Sequence, residues 1–293
     1  MTIPQLLKKV LNIKTKPQPI ALVLSSGGAR GFAHIGVINE LLKNNFEITS
    51  IAGTSMGSII AGIYAAGKLD EFTEWACSVN RMGLFKLVDF TFSTRGFIRG
   101  DRVLNEIKKI VGDLNIEDLN IPYVAVATDI HSQKEVVFRE GCLFEAMRAS
   151  MAIPTIFTPS ELNGRELIDG GILNPVPVDL IERHEGDFLV VVNVNANVSD
   201  ESDIVVQAFP SEKGNEVSKN GKAKKIKRQY GFFDLLTSSF DLTQDKLTEM
   251  ILEKHKPDIL INVSRNVCST FDFHRGAEII EVGKEAFKNR IIY

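Results

Sequence analysis

A serine between two glycines is the feature of this sequence most suited to chemistry. The pattern G-x-S-x-G is met by Gly53-Thr54-Ser55-Met56-Gly57, which follows an apolar run, Ile48 to Ala52, and precedes a helical pattern ending near Gly67. In that context the serine projects from a sharp, strained strand-to-helix turn, where glycine fits and larger side chains do not. The N-terminus of the helix favours negative charge developing at the serine. The motif therefore predicts that Ser55 is a nucleophile, against the plainer interpretation of an ordinary strand–helix turn.

A second glycine-rich turn could supply the electrostatic part of an acyl-transfer site. The segment Ser26-Gly27-Gly28-Ala29-Arg30-Gly31 follows the apolar run Ile20 to Ser25. Consecutive backbone N–H groups form a concavity for an anion, and glycines let them approach an oxyanion to about 2.7–3.1 Å. We predict an oxyanion hole built from amides of this loop. Arg30 could shape the loop or offset negative charge, and we favour the structural role.

An acid beside two glycines completes the set of candidate residues. Asp169-Gly170-Gly171 follows the apolar pair Leu167-Ile168. A carboxylate at the end of a strand, next to glycines, can lie in a cleft with little steric cover. Taken alone, the pattern favours a turn-capping aspartate, which is common in D-G loops.

A glycine-rich turn between a strand and a helix also suits a dinucleotide. However, Ser26 occupies the position of the first glycine of G-x-G-x-x-G, and the second strand runs into Gly53 and Thr54, where a ribose-binding acid is expected. No Walker A lysine follows either turn. These departures favour acyl transfer over nucleotide binding.

The elements that must position these residues form a repeated strand–turn–helix unit. Such a repeat predicts a mainly parallel sheet with helices on both faces. Further buried strands are expected at Tyr123 to Thr128, Phe188 to Asn195 and Asp258 to Val263, and helices at Asp101 to Val111, Leu143 to Ser150 and Asp245 to Glu253.

The composition limits the class of protein. The chain has 293 residues, 44% hydrophobic and 24% charged, with a net charge of −3, which is typical of an ordinary globular protein and gives no electrostatic reason to expect nucleic acid. Three scattered cysteines, Cys77, Cys142 and Cys268, suit a reducing compartment and no structural zinc. We find neither a signal peptide nor an apolar run of about 20 residues. We therefore expect a cytoplasmic protein that needs no metal.

Three segments stand apart from the predicted sheet. Residues 1–19 form an N-terminal amphipathic segment with lysines on one face, preceding a single domain over 20–293. The domain carries a polar, basic insertion around 199–228 and an aromatic-rich stretch over 82–97. Both basic segments could contact an anionic membrane peripherally, although a packed helix and a solvated insertion are the plainer interpretations. The aromatic stretch could line an acyl pocket, with ordinary core as the alternative.

In their order and spacing, the three glycine-rich motifs resemble the patatin-like phospholipase family, particularly bacterial members similar to the catalytic domain of neuropathy target esterase. The resemblance runs from about Ile20 to Ile181, includes Ala149 to Pro154, and has a weaker echo from Lys256 to Gly283. It implies a three-layer α/β/α sandwich, hydrolysis of fatty-acyl esters of phospholipids or lysophospholipids, and no cofactor.

The resemblance also implies a role for each motif. Ser55 would be the nucleophile and Asp169 its base, a dyad without histidine. The amides of Gly27, Gly28 and the following loop residues would form the oxyanion hole. Many members have glycine where this chain has Ser26, so the contribution of that residue's own amide is open.

Two alternatives to this function stay open. A Ser–His–acid hydrolase is formally possible, because His184, His255 and His274 follow Asp169. Against it, the serine motif follows only the second strand, and none of these histidines lies in a glycine-rich loop at a strand end; His34 lies within a helical pattern. The other alternative is a non-catalytic lipid-binding module that retains the fold, which the intact motifs argue against.

Overall fold

The structure, a computed structural model, describes residues 16–83, 90–93, 96–98, 100–197 and 231–292. Most of the predicted N-terminal amphipathic segment, and all of the basic insertion around 199–228, lie outside the described residues. The aromatic-rich stretch over 82–97 lies partly outside them. Within the described residues, no helix combines the length and the apolar character needed to cross a bilayer.

The chain begins with two strand–helix units, and further strands and helices follow. The strands are Gln18–Leu24 (β1), Phe46–Thr54 (β2), Phe90–Ser93 (β3), Gly96–Ile98 (β4), Tyr123–Asp129 (β5), Lys134–Phe138 (β6), Thr155–Phe157 (β7), Ser160–Leu162 (β8), Arg165–Asp169 (β9), Phe188–Ala196 (β10), Ile259–Ser264 (β11) and Ile291–Ile292 (β12). The α-helices are Ala33–Lys43 (α1), Met56–Ala65 (α2), Leu69–Ser78 (α3), Asp101–Val111 (α4), Leu143–Ser150 (α5), Phe232–His255 (α6) and Gly276–Lys288 (α7). Short 3₁₀ turns at Gly28–Phe32 and Gly170–Ile172 follow β1 and β9.

Nine of the described strands form one sheet in the order β12-β11-β10-β1-β2-β5-β9-β8, with β6 also paired to β5. The strands β11, β10, β1, β2 and β5 run parallel, and the antiparallel pairs lie toward the two edges. The predicted mainly parallel sheet is confirmed.

The sheet is buried on both faces because side chains alternate along its apolar strands. Leu22 and Leu24 of β1 join the larger core, to which α1, α2, α5 and α7 contribute, whereas Val23 joins a smaller core on the opposite face. That second face is covered by the segment around Val176 and by α6, which adds the half-buried Ile251 and Leu252. Helices therefore cover both faces, and the expected α/β/α sandwich is confirmed.

The sequence predicted the buried elements more completely than the peripheral ones. The helices Asp101–Val111 and Leu143–Ser150 have the predicted bounds, and the predicted central strands differ from the observed ones by one or two residues at their ends. The helix expected at Asp245 to Glu253 is longer, running from Phe232 to His255. The helices α3 and α7 and several short edge strands were not predicted.

Candidate active site

The strand β5 brings two of the predicted motifs together. One of its edges pairs with β2 as far as Thr54 opposite Val126, and the next residue along that edge, Ala127, pairs with Asp169 of β9. The strand β6 occupies the other edge of β5, where it pairs with residues 125–129. The strands β2 and β9 therefore lie on one edge of β5 and meet end to end. The residue after β2 is Ser55. The topology therefore places Ser55 beside Asp169, although 114 residues separate them in the chain.

The turn that carries Ser55 is strained in the way its sequence predicts. Ser55 has φ 55° and ψ −125°, a left-handed conformation that residues with a side chain rarely adopt. Its carbonyl oxygen accepts hydrogen bonds from the N–H of Ser58 at 2.9 Å and from the Ser58 hydroxyl at 2.7 Å. A Cβ at Gly53 would overlap the carbonyl of Gly57, which explains the first glycine. These contacts fix the backbone of the turn on both sides of Ser55.

Ser55 and Asp169 form a direct hydrogen-bonded pair. Ser55 Oγ donates to Asp169 Oδ2 at 2.6 Å, and the other carboxylate oxygen accepts from the N–H of Gly171 at 2.7 Å. Both side chains are buried, Ser55 at 4% exposure and Asp169 at 1%. Gly170 lets this turn approach β5, because a Cβ there would overlap Val126 O.

The surroundings of Asp169 make its carboxylate an unusually strong base for an aspartate. Burial in an apolar setting raises the pKa of Asp169 to about 7, and the hydrogen bonds from Ser55 and Gly171 lower it only in part. A pKa near neutrality suits a group that accepts and returns a proton at ordinary pH.

One short segment fixes the backbones of both residues. The Ser150 hydroxyl, at the end of α5, accepts a hydrogen bond from the N–H of Ser55 at 2.9 Å. Two residues on, Ala152 O accepts from the N–H of Asp169 at 2.9 Å. The stretch from Ala149 to Pro154 was noted in the sequence, but these two contacts could not be inferred from it because they depend on tertiary structure.

The glycine-rich loop after β1 packs directly against the turn that carries Ser55. A Cβ at Gly31 would overlap the side chain of Met56, and one at Gly57 would overlap Leu24 O and lie 2.5 Å from Ser25 O. These contacts allow no side chain at either glycine. The loop and the turn therefore sit as neighbours, as an acyl-transfer site requires.

Not all amides of this loop are free. The N–H of Ser26 donates to Pro175 O and that of Ala29 to Thr270 O, each at 2.9 Å, and the N–H of Arg30 makes a longer bond of 3.2 Å to Gly27 O. By contrast, the N–H groups of Gly27 and Gly28 have no acceptor among the described residues. Five residues of this loop, Gly27 to Gly31, were predicted to form the oxyanion hole. Among them, the amides of Ala29 and Arg30 already have acceptors, and Gly31 lies inside the 3₁₀ turn.

The orientation of the two free amides is set by the carbonyls of the same peptide units. In a trans peptide the C=O and the following N–H point in opposite directions. Ser26 O accepts from Asn195 Nδ2 at 2.8 Å and from the Ser25 hydroxyl at 3.0 Å, which directs the N–H of Gly27 away from β10. Sequence analysis missed Asn195, although a buried asparagine at the carboxyl end of an apolar strand was a usable signal.

The side chain of Arg30 contacts two other parts of the chain. Its side chain is buried, contacts the Thr270 hydroxyl at 3.4 Å, and lies 3.8 Å from Asp241 of α6. It thereby joins the glycine-rich loop to two other parts of the chain. Burial lowers its pKa, which Asp241 partly offsets.

All five histidines lie in the described residues, and none has a hydrogen bond to Ser55 or Asp169. His34 is fully buried in α1, its Nε2 is 2.9 Å from Ser25 O, and burial lowers its pKa to about 4, so it is neutral. His131 contacts Glu166 and His274 contacts Arg81. Asp169 instead meets Ser55 directly. Among the described residues, no group of three or more His, Cys, Asp or Glu side chains is arranged to hold a metal ion.

The fold is an α/β/α sandwich, and its strand-to-helix turn presents a serine to a buried carboxylate. This arrangement is typical of α/β serine hydrolases. The comparisons with known proteins go further. Residues 22–181 match the family model described as patatin-like phospholipase. An uncharacterized NTE family protein of Mycobacterium tuberculosis is 34% identical over 94% of this chain and 92% of that protein.

Two longer relatives match a smaller part of the chain. Patatin-like phospholipase domain-containing protein 6 of Homo sapiens is 33% identical over 63% of this chain and 14% of that protein. Lysophospholipase NTE1 of Candida glabrata is 34% identical over 55% of this chain and 10% of that protein. Among solved structures, VipD from Legionella pneumophila aligns with a TM-score of 0.48 and 15% identity over 93% of this chain and 66% of that one.

The chain belongs to the patatin-like phospholipase family. Its relatives with NTE names agree with the resemblance seen in the sequence. Membership supports a hydrolase of the phospholipase or lysophospholipase kind that acts on lipid esters.

Proposed function

We propose that this chain hydrolyses fatty-acyl esters of phospholipids or lysophospholipids with Ser55 as nucleophile and Asp169 as the sole base. The observation that carries the proposal is the 2.6 Å hydrogen bond from Ser55 Oγ to Asp169 Oδ2, in a pair that no histidine contacts among the described residues. A nucleophilic serine needs a base within hydrogen-bond reach, and the carboxylate itself meets that need here.

The reaction divides into two half-reactions that use the same pair. Ser55 Oγ attacks the acyl carbon while its proton passes to Asp169 Oδ2. The C–O bond of the ester then breaks, and the departing alcohol or lysolipid takes that proton, which leaves an acyl-serine. Asp169 next accepts a proton from water as the water attacks the acyl carbon, and it returns the proton to Ser55 Oγ as the fatty acid leaves.

Both half-reactions pass through a tetrahedral oxyanion. We assign the stabilisation of this oxyanion to the N–H groups of Gly27 and Gly28. They are free of acceptors in the described chain, whereas the amides of Ala29 and Arg30 are engaged. Their peptide planes are held by bonds to Ser26 O and Gly27 O, so the donors need no reorganisation as charge develops.

The proposal is tested by covalent labelling and by a lipid panel. A fluorophosphonate should label the wild type and not Ser55→Ala, since the probe forms a bond with an activated serine oxygen. Phospholipids and lysophospholipids are then presented in vesicles with and without anionic lipid, and products are identified by mass spectrometry. Release of fatty acid by the wild type alone is expected. A folded wild type that neither labels nor releases fatty acid would instead support a non-catalytic lipid-binding module.

The pH dependence of kcat should report the ionisation of Asp169. Because burial raises the pKa of this carboxyl to about 7, and only the carboxylate accepts the serine proton, kcat should rise through about pH 7. It should fall roughly tenfold for each pH unit below that. The measurement is kcat for a soluble ester between pH 5 and 9. A rate that stays constant down to pH 5 would show that Asp169 remains ionised there, contrary to this assignment.

A further inference from the structure

Gln244 of α6 is a buried side chain that lies between the two loops of the site. It is 5% exposed, and its Oε1 accepts a hydrogen bond from the Ser26 hydroxyl at 3.0 Å, at the start of the loop that carries Gly27 and Gly28. On its other side, a Cβ at Gly171 would overlap Gln244 Nε2. One side chain therefore contacts both the proposed oxyanion loop and the turn that holds Asp169.

The amide of Gln244 has its oxygen toward the glycine-rich loop, where it accepts from the Ser26 hydroxyl. With Oε1 toward Ser26, Nε2 faces Gly171. A Cβ on Gly171 would lie 2.1 Å from Nε2 and 3.0 Å from Asp169 Oδ1, so the amide nitrogen and the carboxylate are both close to this glycine. Nε2 donates to no protein atom among the described residues.

The helix that carries Gln244 is anchored on either side of it. Asp241, one turn earlier, faces Arg30 at 3.8 Å and Arg265 at 3.9 Å, and Asp245 pairs with Arg265. These ion pairs tie α6 to the glycine-rich loop and to the segment after β11. Gln244 therefore projects from a fixed part of the helix, which a spacer between two loops requires.

We propose that Gln244 is a positioning residue which, through Ser26, holds the oxyanion loop at a set distance from the turn of Asp169. This inference rests on the proposed function. It also gives a role to Ser26, the position at which many members of the family have glycine. A glycine there would leave Gln244 Oε1 without its buried donor, a loss that costs more than an absent surface contact.

The test begins with two variants, each of which removes one partner of the hydrogen bond between Ser26 and Gln244. Gln244→Met keeps the length of the side chain without donor or acceptor, and Ser26→Ala removes only the hydroxyl. Each should lower kcat for a soluble ester about tenfold, and leave KM within about twofold, because neither group touches the substrate. The rate of fluorophosphonate labelling should fall in parallel. The double variant should be no slower than the slower single one, since both substitutions break one interaction.

A third variant tests the position of the amide nitrogen. Gln244→Glu keeps an acceptor for Ser26 but places a carboxyl oxygen beside Asp169, so the rise of kcat with pH should move to higher pH. The charged groups nearest on α6, Asp241 and Asp245, are already paired with Arg30 and Arg265 and are unchanged. A change in packing that let water reach Asp169 would move the profile the other way, to lower pH, because burial is what raises its pKa.

Thr248→Val supplies the matched control. Thr248 is as buried as Gln244, lies one turn further along α6, and has no side-chain hydrogen bond to either loop among the described residues. It should keep the kcat of the wild type. If wild type labels and Gln244→Met labels at the same rate, or if the two single losses multiply, the inference is overturned while the proposed function stands. A folded wild type that does not label overturns both. Where Gln244→Met fails to fold, Ser26→Ala carries the same comparison.

Discussion

Asp169→Asn is expected to lower kcat for ester hydrolysis by at least about a thousandfold without unfolding the protein. Asparagine has the shape of aspartate and can still accept the bond from the N–H of Gly171, which is 2.7 Å long in the wild type. Toward Ser55, however, it presents an NH₂ group that cannot take a proton. The measurement is kcat and KM on a soluble ester, with Ser55→Ala as the blank.

The same variant should be more stable than the wild type. A pKa raised from its ordinary value to about 7 means that the folded state disfavours the carboxylate, so this group costs stability increasingly as pH rises from about 4 through 7. A neutral asparagine avoids that cost. We expect a gain on the order of 1–3 kcal/mol in the free energy of unfolding at pH 8, and a smaller gain at pH 5. Urea unfolding at the two pH values measures both.

Histidine variants separate the dyad from the Ser–His–acid alternative. Replacing each histidine singly should leave most of the activity, because no histidine contacts the serine or the carboxylate. His34 deserves the closest measurement, since it is fully buried and bonded to Ser25 O. Loss of activity in a single-histidine variant that remains folded would contradict a dyad without histidine. The variants are made at His34, His131, His184, His255 and His274.

The central sheet could be predicted because its strands carry their own signal. Ile20 to Leu24 are apolar without interruption and are fully buried. An apolar run of this length is typical of a parallel strand that is covered on both faces. The antiparallel strand β6 mixes charged and apolar residues and is largely exposed or half-buried, so nothing in its sequence separates it from a loop. The prediction was therefore most complete where burial alone decides the structure.

The residues of the candidate site were predictable from their motifs, but their contacts were not. The serine turn needs glycines for local steric reasons, which leave a pattern in the sequence. The end-to-end meeting of β2 and β9 on one edge of β5 depends instead on pairing between strands far apart in the chain. In the same way, the amides of the loop looked equivalent because two of their acceptors, Pro175 O for Ser26 and Thr270 O for Ala29, come from distant segments.

Gly57→Ala is expected to destabilise the fold by about 3 kcal/mol or more and to abolish activity. Two effects oppose each other at this position in the first turn of α2. Alanine favours a helix over glycine by about 1 kcal/mol. Its Cβ, however, would overlap Leu24 O and lie 2.5 Å from Ser25 O, and both oxygens belong to backbone at the end of β1. Backbone in a buried parallel strand cannot move aside cheaply, so the steric cost wins.

Gly62→Ala, in the same helix, is the matched control, because its Cβ would meet side chains and not the backbone of a strand. Its Cβ would lie 3.0 Å from Leu143 Cδ1 and 3.1 Å from Met147 Sδ, which are the ends of flexible side chains. The helix-forming gain then offsets most of the crowding, and the change should stay within about 1 kcal/mol. Urea unfolding and fluorophosphonate labelling measure both variants. Equal stability and labelling of Gly57→Ala and Gly62→Ala would mean that Ser55 does not depend on the close approach of α2 to β1. A loss confined to Gly57→Ala would show that the glycine after the serine is required because the turn presses against the strand carrying the oxyanion loop.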